Sequence, residues 1–434
     1  MAVLEPTGVA GAATAGGAPK ARRTAGNGVI IAYVVAYLAM YIALITPVIS
    51  TLAVKVNTLS TDATRAGDLG LVTGVGAFFA FVANPVAGAL SDRTTSRLGM
   101  RRPWLLFGVL GGTLGLAIIA FATSIWMVVV GWAIAQTAFN GAQAALQALL
   151  PDQVEEERRA KVSGLLGIAQ NASSLIGIAL ATLLAAANLP TSWMILIPAA
   201  LGLIGVLVLV AVLKDRHLPK SEATPFALGA FLKGFWVSPR KHPDFGWAFA
   251  GRFLMLLGFA AYNNYQVYFL LTRFGFDTTT ALSWQLRLSI VQTVVLVLAA
   301  SVGGWLSDRT ARRKLFVVVA TVLAGLGLLV FSLAQDPNVL YVAAVLFGAG
   351  LGAYFAVDLA LVTDVLPNRE TDAAKNMGVF NIANALPQSL APALAPLLLA
   401  VGSTTASNYT LLFVVAAVVI IVGAASTMFI KGAR

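Results

Sequence analysis

The chain has 434 residues, 59% of them hydrophobic and only 11% charged, with a net charge of +11 and a mean hydropathy of +0.85. Soluble domains carry about 25% charged residues, so an ordinary water-soluble globule is excluded, and the basic excess concerns membrane sidedness rather than nucleic acid. There is no cysteine, and the two histidines, His217 and His242, share one polar stretch, which excludes disulfides, thiol nucleophiles, cysteine–zinc sites and histidine chemistry inside apolar runs.

Residues 1–27 are rich in Ala, Gly, Thr and Pro without an apolar run, and disorder is predicted there. No signal peptide is expected there, because the apolar stretch that follows is too long and no processing site follows it. Twelve apolar runs come next, at about 28–50, 69–90, 103–123, 125–150, 160–187, 191–213, 246–272, 282–306, 314–335, 338–363, 374–402 and 408–431. The 103–123 run, at about 1.5 Å per helical residue, crosses a hydrocarbon core of about 30 Å. With both termini cytoplasmic, Lys20, Arg22 and Arg23 before the first span included, the cytoplasmic segments hold 24 of the 29 Lys and Arg. The outer loops hold Lys55, Arg65 and Arg273, while Arg252 and Arg287 fall inside spans. Shifting the count by one span destroys this bias, so twelve spans in the cell membrane are expected.

Residues 214–245 form the one long loop, basic through Lys214, Arg216, Lys220, Lys233, Arg240 and Lys241. It separates a half at 28–213 from a half at 246–431, and the halves repeat. Gly88–Pro103, GALSDRTTSRLGMRRP, recurs 216 positions later as GWLSDRTARRK, so that Gly88, Asp92 and Arg93 align with Gly304, Asp308 and Arg309. Arg97, Arg101 and Arg102 extend the first copy. PDQV at Pro151–Val154 parallels TDVL at Thr363–Leu366, bringing Asp152 and Asp364 to the ends of spans 4 and 10. Ile168-Ala169-Gln170 matches Ile382-Ala383-Asn384. Parallel repeats about an axis along the membrane normal are one transporter plan.

The paired loops resemble the loop 2–3 and loop 8–9 motif of the major facilitator superfamily: a glycine, then Asp-Arg, then a basic pair. The longer copy, SDRTTSRLGMRRP, is similar to the sucrose-transporter and glycoside–cation-symporter branches. The superfamily resemblance covers residues 28–431; the sugar-branch resemblance rests on this loop and the end of span 4. It implies an all-α bundle of twelve spans in two pseudo-symmetric halves that transports by alternating access. It also implies a latch in which Asp92 and Asp308 meet a helix N-terminus of the other half, where the dipole is positive, and gate contacts at Asp152 and Asp364. Topogenic arginines and simple helix capping explain the same residues without a latch. Gly88 and Gly304 are expected to let helix ends approach closely.

Polar residues inside apolar runs are costly in lipid and usually face a cavity. Gln136, Asn140, Gln143 and Gln147 share one face of span 4, as Tyr33, Tyr37 and Tyr41 share one of span 1. Span 5 adds Gln170 and Asn171, span 7 Tyr262, Asn263, Asn264, Tyr265 and Gln266, and span 11 Asn381, Asn384 and Gln388. Amides supply paired donors and acceptors and rings stack on sugar faces, which suits a neutral polyhydroxylated ligand. The plain alternative is interhelical hydrogen bonding, worth about 0.6 kcal/mol each.

Asp358 is the one acid deep within a run. It must be protonated or paired, which makes it a candidate H⁺-coupling site; a structural pair with Arg252 or Arg287, or a snorkel to the nearby surface, is the alternative. Arg287 is a candidate substrate contact, whereas Arg252 lies nearer the end of its span, where snorkelling suffices. Pro47, Pro85, Pro387, Pro392 and Pro396 are expected to kink or interrupt their spans. Span 5 has no Gly-Pro pair of the kind drug–proton antiporters of the superfamily carry, and no phosphate-binding loop, nucleophile–base set or metal cluster appears. The expectation is therefore a non-enzymatic, cofactor-free, monomeric secondary transporter of a small organic solute, sugars or glycosides foremost and H⁺ the coupling ion. Efflux of an amphipathic compound and a non-transporting membrane sensor are the rivals.

Overall fold

In the computed structural model the apolar runs become twelve helices long and apolar enough to cross a membrane. The structure describes residues 25–222, 229, 238, 240–310, 312–365, 373–403 and 408–432. The tail expected to be disordered, with Lys20, Arg22 and Arg23, and the Asn381 side chain lie outside the described residues, as does much of the long loop. Among the described residues all regular structure is helical. The helices are α1 Asn27–Leu59, α2 Arg65–Ser91, α3 Arg102–Ala120, α4 Ile125–Gln153, α5 Glu156–Ala186, α6 Thr191–Val212, α7 Pro243–Phe274, α8 Thr278–Thr310, α9 Arg313–Leu333, α10 Val339–Asp364, α11 Ala373–Leu399 and α12 Tyr409–Met428.

α1 runs nine residues past the end of its apolar run because Lys55 finds a partner: its stem is buried and its ammonium donates to the Ala120 carbonyl, 3.2 Å away, at the end of α3. Pro47 has no N–H to give, and α1 accommodates it with a π turn over Pro47–Thr51. Pro85 in α2 and the three prolines of α11 lie inside helices that continue through them, so span 11 is not interrupted. Membrane helices tolerate such prolines where a neighbouring helix satisfies the freed carbonyl. Pro396 cannot donate to the Pro392 carbonyl one turn earlier, and the Tyr265 hydroxyl reaches that oxygen at 3.4 Å.

Helices pack as two groups of six with the same internal plan. In the first group α4 packs on α2 and α3, and α1 on α5 and α6; in the second α10 packs on α8 and α9, and α7 on α11 and α12. In lipid no hydrophobic drive holds helices together, so close contact between small residues does. A Cβ on Gly115 of α3 would stand 2.5 Å from the Gly131 carbonyl of α4, and one on Gly350 of α10 2.6 Å from the Ala320 carbonyl of α9. The groups meet through α2 with α11 and α5 with α8.

Candidate functional site

One end of the bundle, the basic face, carries the loops after α2 and α8. The arginine at the start of α3 is its hub in the first half. Arg101 is 5% exposed. It donates to Asp92 at 2.7 Å, to Asp152 at the end of α4 at 2.9 Å and to the Ser91 hydroxyl at 2.8 Å. Burial lowers the Arg101 pKa, but the Asp152 and Asp92 carboxylates raise it on balance, so the guanidinium stays charged. α3 has no side-chain cap of its own. The Asp215 carboxylate, just after α6, accepts the N–H groups of Arg101 and Arg102 at 2.6 and 2.8 Å, an anion at a helix N-terminus where the dipole favours it. Asp215 also packs where a side chain at Gly99 would be, and Gly99 has φ +108°, a conformation that L residues avoid.

The second half repeats the core of this arrangement. Arg313 at the start of α9 pairs with Asp364 at the end of α10 at 2.7 Å, and both partners sit 212 positions after Arg101 and Asp152. The loop is shorter here, and Asp308 and Arg309 are exposed, with Arg309 lying over the Trp305 ring of its own helix. Arg93 likewise folds back to the Ala89 carbonyl of its own helix at 2.6 Å. Gly88 and Gly304 do not mediate close approach: a Cβ at either would make ordinary contact, 3.8 Å from Ala144 and 3.7 Å from Ala356. The tighter position is Gly303, whose added Cβ would stand 3.2 Å from Ala353.

Inward from that face each half holds a polar cluster, about 11–26 Å in for the first half and about 9–17 Å in for the second, at 1.5 Å per helical residue. In the first half Tyr37 and Tyr41 stack at 4.6 Å, with their hydroxyls 3.3 Å apart. The Gln143 amide donates to the Tyr41 hydroxyl. The Asn140 amide donates to the Gln136 side chain at 2.8 Å, and both residues are buried. Asn84 of α2 donates to the Gln143 side chain at 3.5 Å. The predicted amide stripe thus converges, except for Gln147, which is exposed. On α5, Asn171 is exposed and bonds back to the Gly167 carbonyl at 2.9 Å. With Ser163, Gly164, Gly167 and Gln170 it forms an exposed small and polar stripe on one face of that helix.

The second half builds its cluster from charge. Asp358 of α10 is 2% exposed and paired with Arg252 of α7. Arg252 Nε donates to the Asn384 side chain of α11 at 2.5 Å, and the guanidinium lies 5.0 Å from the Phe380 ring centroid. Arg252 is therefore turned inward rather than snorkelling. Arg287 is not its substitute. It is exposed over Trp284 at 5.6 Å, on the face of α8 that carries Val294, Leu298 and Trp305, all exposed apolar residues. The periodicity of α8 thus separates it from the amides it was expected to join. Asn264 is buried and bonds back to the Ala260 carbonyl at 2.8 Å. Asn263 and Gln388 are half-buried. Gln266 donates to the Tyr262 hydroxyl at 2.8 Å, within a nest formed with Phe331 and Phe347.

Hydrogen bonds joining the halves gather toward the opposite face. The Gln285 amide of α8 donates to the Ile49 carbonyl, in the π turn of α1, at 2.7 Å, while its oxygen accepts the Ser50 hydroxyl at 2.7 Å. Tyr268 donates to the Ala53 carbonyl at 3.0 Å, Thr182 to the Leu282 carbonyl at 3.2 Å and Arg65 to the Thr272 hydroxyl at 2.8 Å. Sequence reasoning missed Gln285, Asn84 and Asp215. Asn84 is visible as the one amide of span 2, and Gln285, with Gln292, as one of two amides in span 8. Asp215 sits next to a span end among charged residues and had no signal of its own.

Two repeated six-helix groups, a buried polar cluster in each and twelve spans define a multi-pass membrane protein of internally duplicated plan. The Major Facilitator Superfamily model matches residues 29–293 and 278–432, and the chain belongs to that family. Its fold is shared with the nucleoside transporter NupG (TM-score 0.72, 14% identity, covering 93% of this chain and 98% of that one). It is shared equally with a D-xylose–proton symporter (TM-score 0.70, 15% identity, 94% and 98%). Among curated relatives, the probable nitrate/nitrite transporter NarK2 of Mycobacterium tuberculosis is 40% identical over 106 residues, 23% of this chain and 25% of that protein. The class H tetracycline resistance protein of Pasteurella multocida is 30% identical over 157 residues, 36% and 37%. The matched stretches therefore span about a quarter to a third of these relatives. Their names do not point to the sucrose-transporter and glycoside–cation-symporter branches.

Proposed function

We propose that the protein is a secondary transporter that carries a small polyhydroxylated solute, a sugar or glycoside, across the cell membrane by alternating access with H⁺ as the coupling ion. Residues 28–213 and 246–431 are the moving halves, 214–245 the linker, and the basic face is cytoplasmic with both termini. The observation that carries the reading is the pair of polar clusters, one in each half, at overlapping depth. The tyrosines and amides of α1, α2 and α4 suit hydroxyl groups, while Asp358 is the one buried carboxylate of the deep clusters and so the proton site. Inter-half bonds gathered at the opposite face, with the polar stripe of α5 exposed near the basic face, suit a state that loads and releases on the cytoplasmic side. Asp92 and Asp308 latch the halves when that side closes. The likeness to a D-xylose–proton symporter supports fold and plan.

The test is uptake of a radiolabelled sugar panel into proteoliposomes, with and without an imposed proton gradient, for the native protein and Asp358→Asn. One sugar accumulated above its own gradient, and not in Asp358→Asn, is the expected result; equilibrating uptake indifferent to both overturns the coupling. The tetracycline resistance relatives favour a second reading, efflux of an amphipathic compound, which extrusion of such a compound without any sugar flux would establish.

A further inference from the structure

The two halves repeat their charges at the basic face but not in the interior. Arg101 with Asp152 and Arg313 with Asp364 are one pair built twice, 212 positions apart. The buried pair has no such copy. Met40 and Met255, 215 positions apart, are both fully buried, and the same offset puts Tyr37 where Arg252 stands. The offset that relates Asp152 to Asp364 puts Leu146 where Asp358 stands. The fold is therefore built in the first half without the Arg252–Asp358 pair, and the reason for the pair lies elsewhere.

The geometry of the pair indicates which member meets a ligand. The Asp358 side chain is 3% exposed and that of Arg252 14%, so Arg252 is the more accessible partner. Phe380 backs its face and Asn384 holds Nε, which fixes the plane of the fork. A fixed guanidinium fork matches a carboxylate in a way that a hydroxyl does not. The first half supplies neutral donors and acceptors from about the depth of Arg252 inward. Facing Asp358 are Arg252 from α7 and Tyr354 from its own helix. From α11 come Asn384 and Phe380, both uncharged. α8 brings Gly303 and Gly304 to the neighbouring turn of α10, and Arg313 of α9 lies further out, on Asp364.

We infer that the solute is a hydroxylated monocarboxylate, a sugar acid, whose carboxylate takes the place of Asp358 on Arg252 while Asp358 takes up one proton. This rests on the transport reading above and narrows its substrate. The exchange replaces one carboxylate on the guanidinium by another, and an unpaired carboxylate in the membrane interior accepts a proton rather than stay charged. The site begins with one positive and one negative group and ends with a guanidinium–substrate pair and a neutral acid. One anion and one proton move together, and no net charge crosses.

Proteoliposomes containing the full chain are given radiolabelled gluconate or glucuronate, and glucose or methyl glucoside, with the proton gradient and the membrane potential set independently. Gluconate or glucuronate is expected to accumulate about tenfold per pH unit, since each 1.4 kcal/mol is tenfold, and to ignore the potential. Asp358→Asn is expected to exchange the acid across the membrane yet fail to accumulate it, a split that a merely structural role would not produce. Arg252→Gln with Asp358→Asn, which leaves no charge in that cluster, is expected to elute as the native protein does and to move no acid. Flux of the neutral sugars without the acids overturns the substrate class and leaves the sugar-transport reading intact, whereas flux of neither overturns both. Accumulation that follows the potential overturns the one-proton balance. A double variant that still carries the acid overturns the part assigned to Arg252.

Discussion

The two halves share a backbone plan and differ in what they bury. The first half buries tyrosines and amides that satisfy one another: Tyr37 with Tyr41, Gln143 with Tyr41, Asn140 with Gln136. The second buries an ion pair, set slightly nearer the basic face. At the basic face the difference nearly vanishes, because each half ties the start of its third helix to the end of its fourth with an Arg–Asp bridge. What repeats belongs to the fold, and what breaks the repeat belongs to the task. An internal duplication thus acts as its own control, separating structural charges from functional ones within a single chain.

The largest effect is expected from breaking the buried pair on one side only. Arg252→Ala leaves Asp358 uncompensated and should cost about 3–5 kcal/mol, read as a fall in unfolding temperature in detergent, while Arg252→Gln with Asp358→Asn should recover most of it. In the first half the matching change, Tyr37→Phe, removes one hydroxyl contact and should cost about 1 kcal/mol. Equal losses in the two halves would contradict the assigned asymmetry.

The bridges at the basic face come next. Arg101→Ala strips a buried guanidinium from Asp92, Asp152 and Ser91 and should cost about 2–3 kcal/mol. Arg313→Ala, whose pair is about a third exposed on both sides, should cost less than about 1 kcal/mol. Gln285→Ala removes the strap from the π turn of α1 and should weaken closure of the opposite face by about 1–2 kcal/mol. Spin-label distances across that face should then widen, and unchanged distances would remove Gln285 from the closure. The smallest effect is expected at Gly88→Ala and Gly304→Ala, where a methyl group finds ordinary contact; thermal stability should move by less than about 0.5 kcal/mol. Gly115→Ala, against the backbone of α4, should cost about 1–3 kcal/mol.

Much of this was legible in the sequence because lipid imposes a simple rule. A run of apolar residues long enough to cross must be a helix, so the twelve spans could be counted, and the paired motifs disclosed the repeat. The amide stripe of α4 was legible for the same reason, since Gln136, Asn140 and Gln143 fall on one helical face. Partnership was not legible. Asp358 lay equally open in one dimension to Arg252, to Arg287 and to solvent, and only the packing of α7, α10 and α11 selects Arg252. Arg287 was placed with the amides because depth is readable from position along a span, whereas the neighbour that each face of α8 meets is not. Asp92, Asp152 and Arg101 each stand out in the sequence, but that one guanidinium joins the two acids does not, because the join crosses three helix ends.

The most direct measurement is proton movement evoked by solute. Proteoliposomes loaded with a pH-sensitive dye are mixed with the transported solute at zero imposed gradient, for native protein, Asp358→Asn and Asp92→Asn. The prediction is solute-evoked acidification of the lumen that is absent in Asp358→Asn and slowed, but with the same proton-to-solute ratio, in Asp92→Asn. An unchanged ratio in Asp358→Asn would contradict the claim that the buried pair of the second half couples the proton.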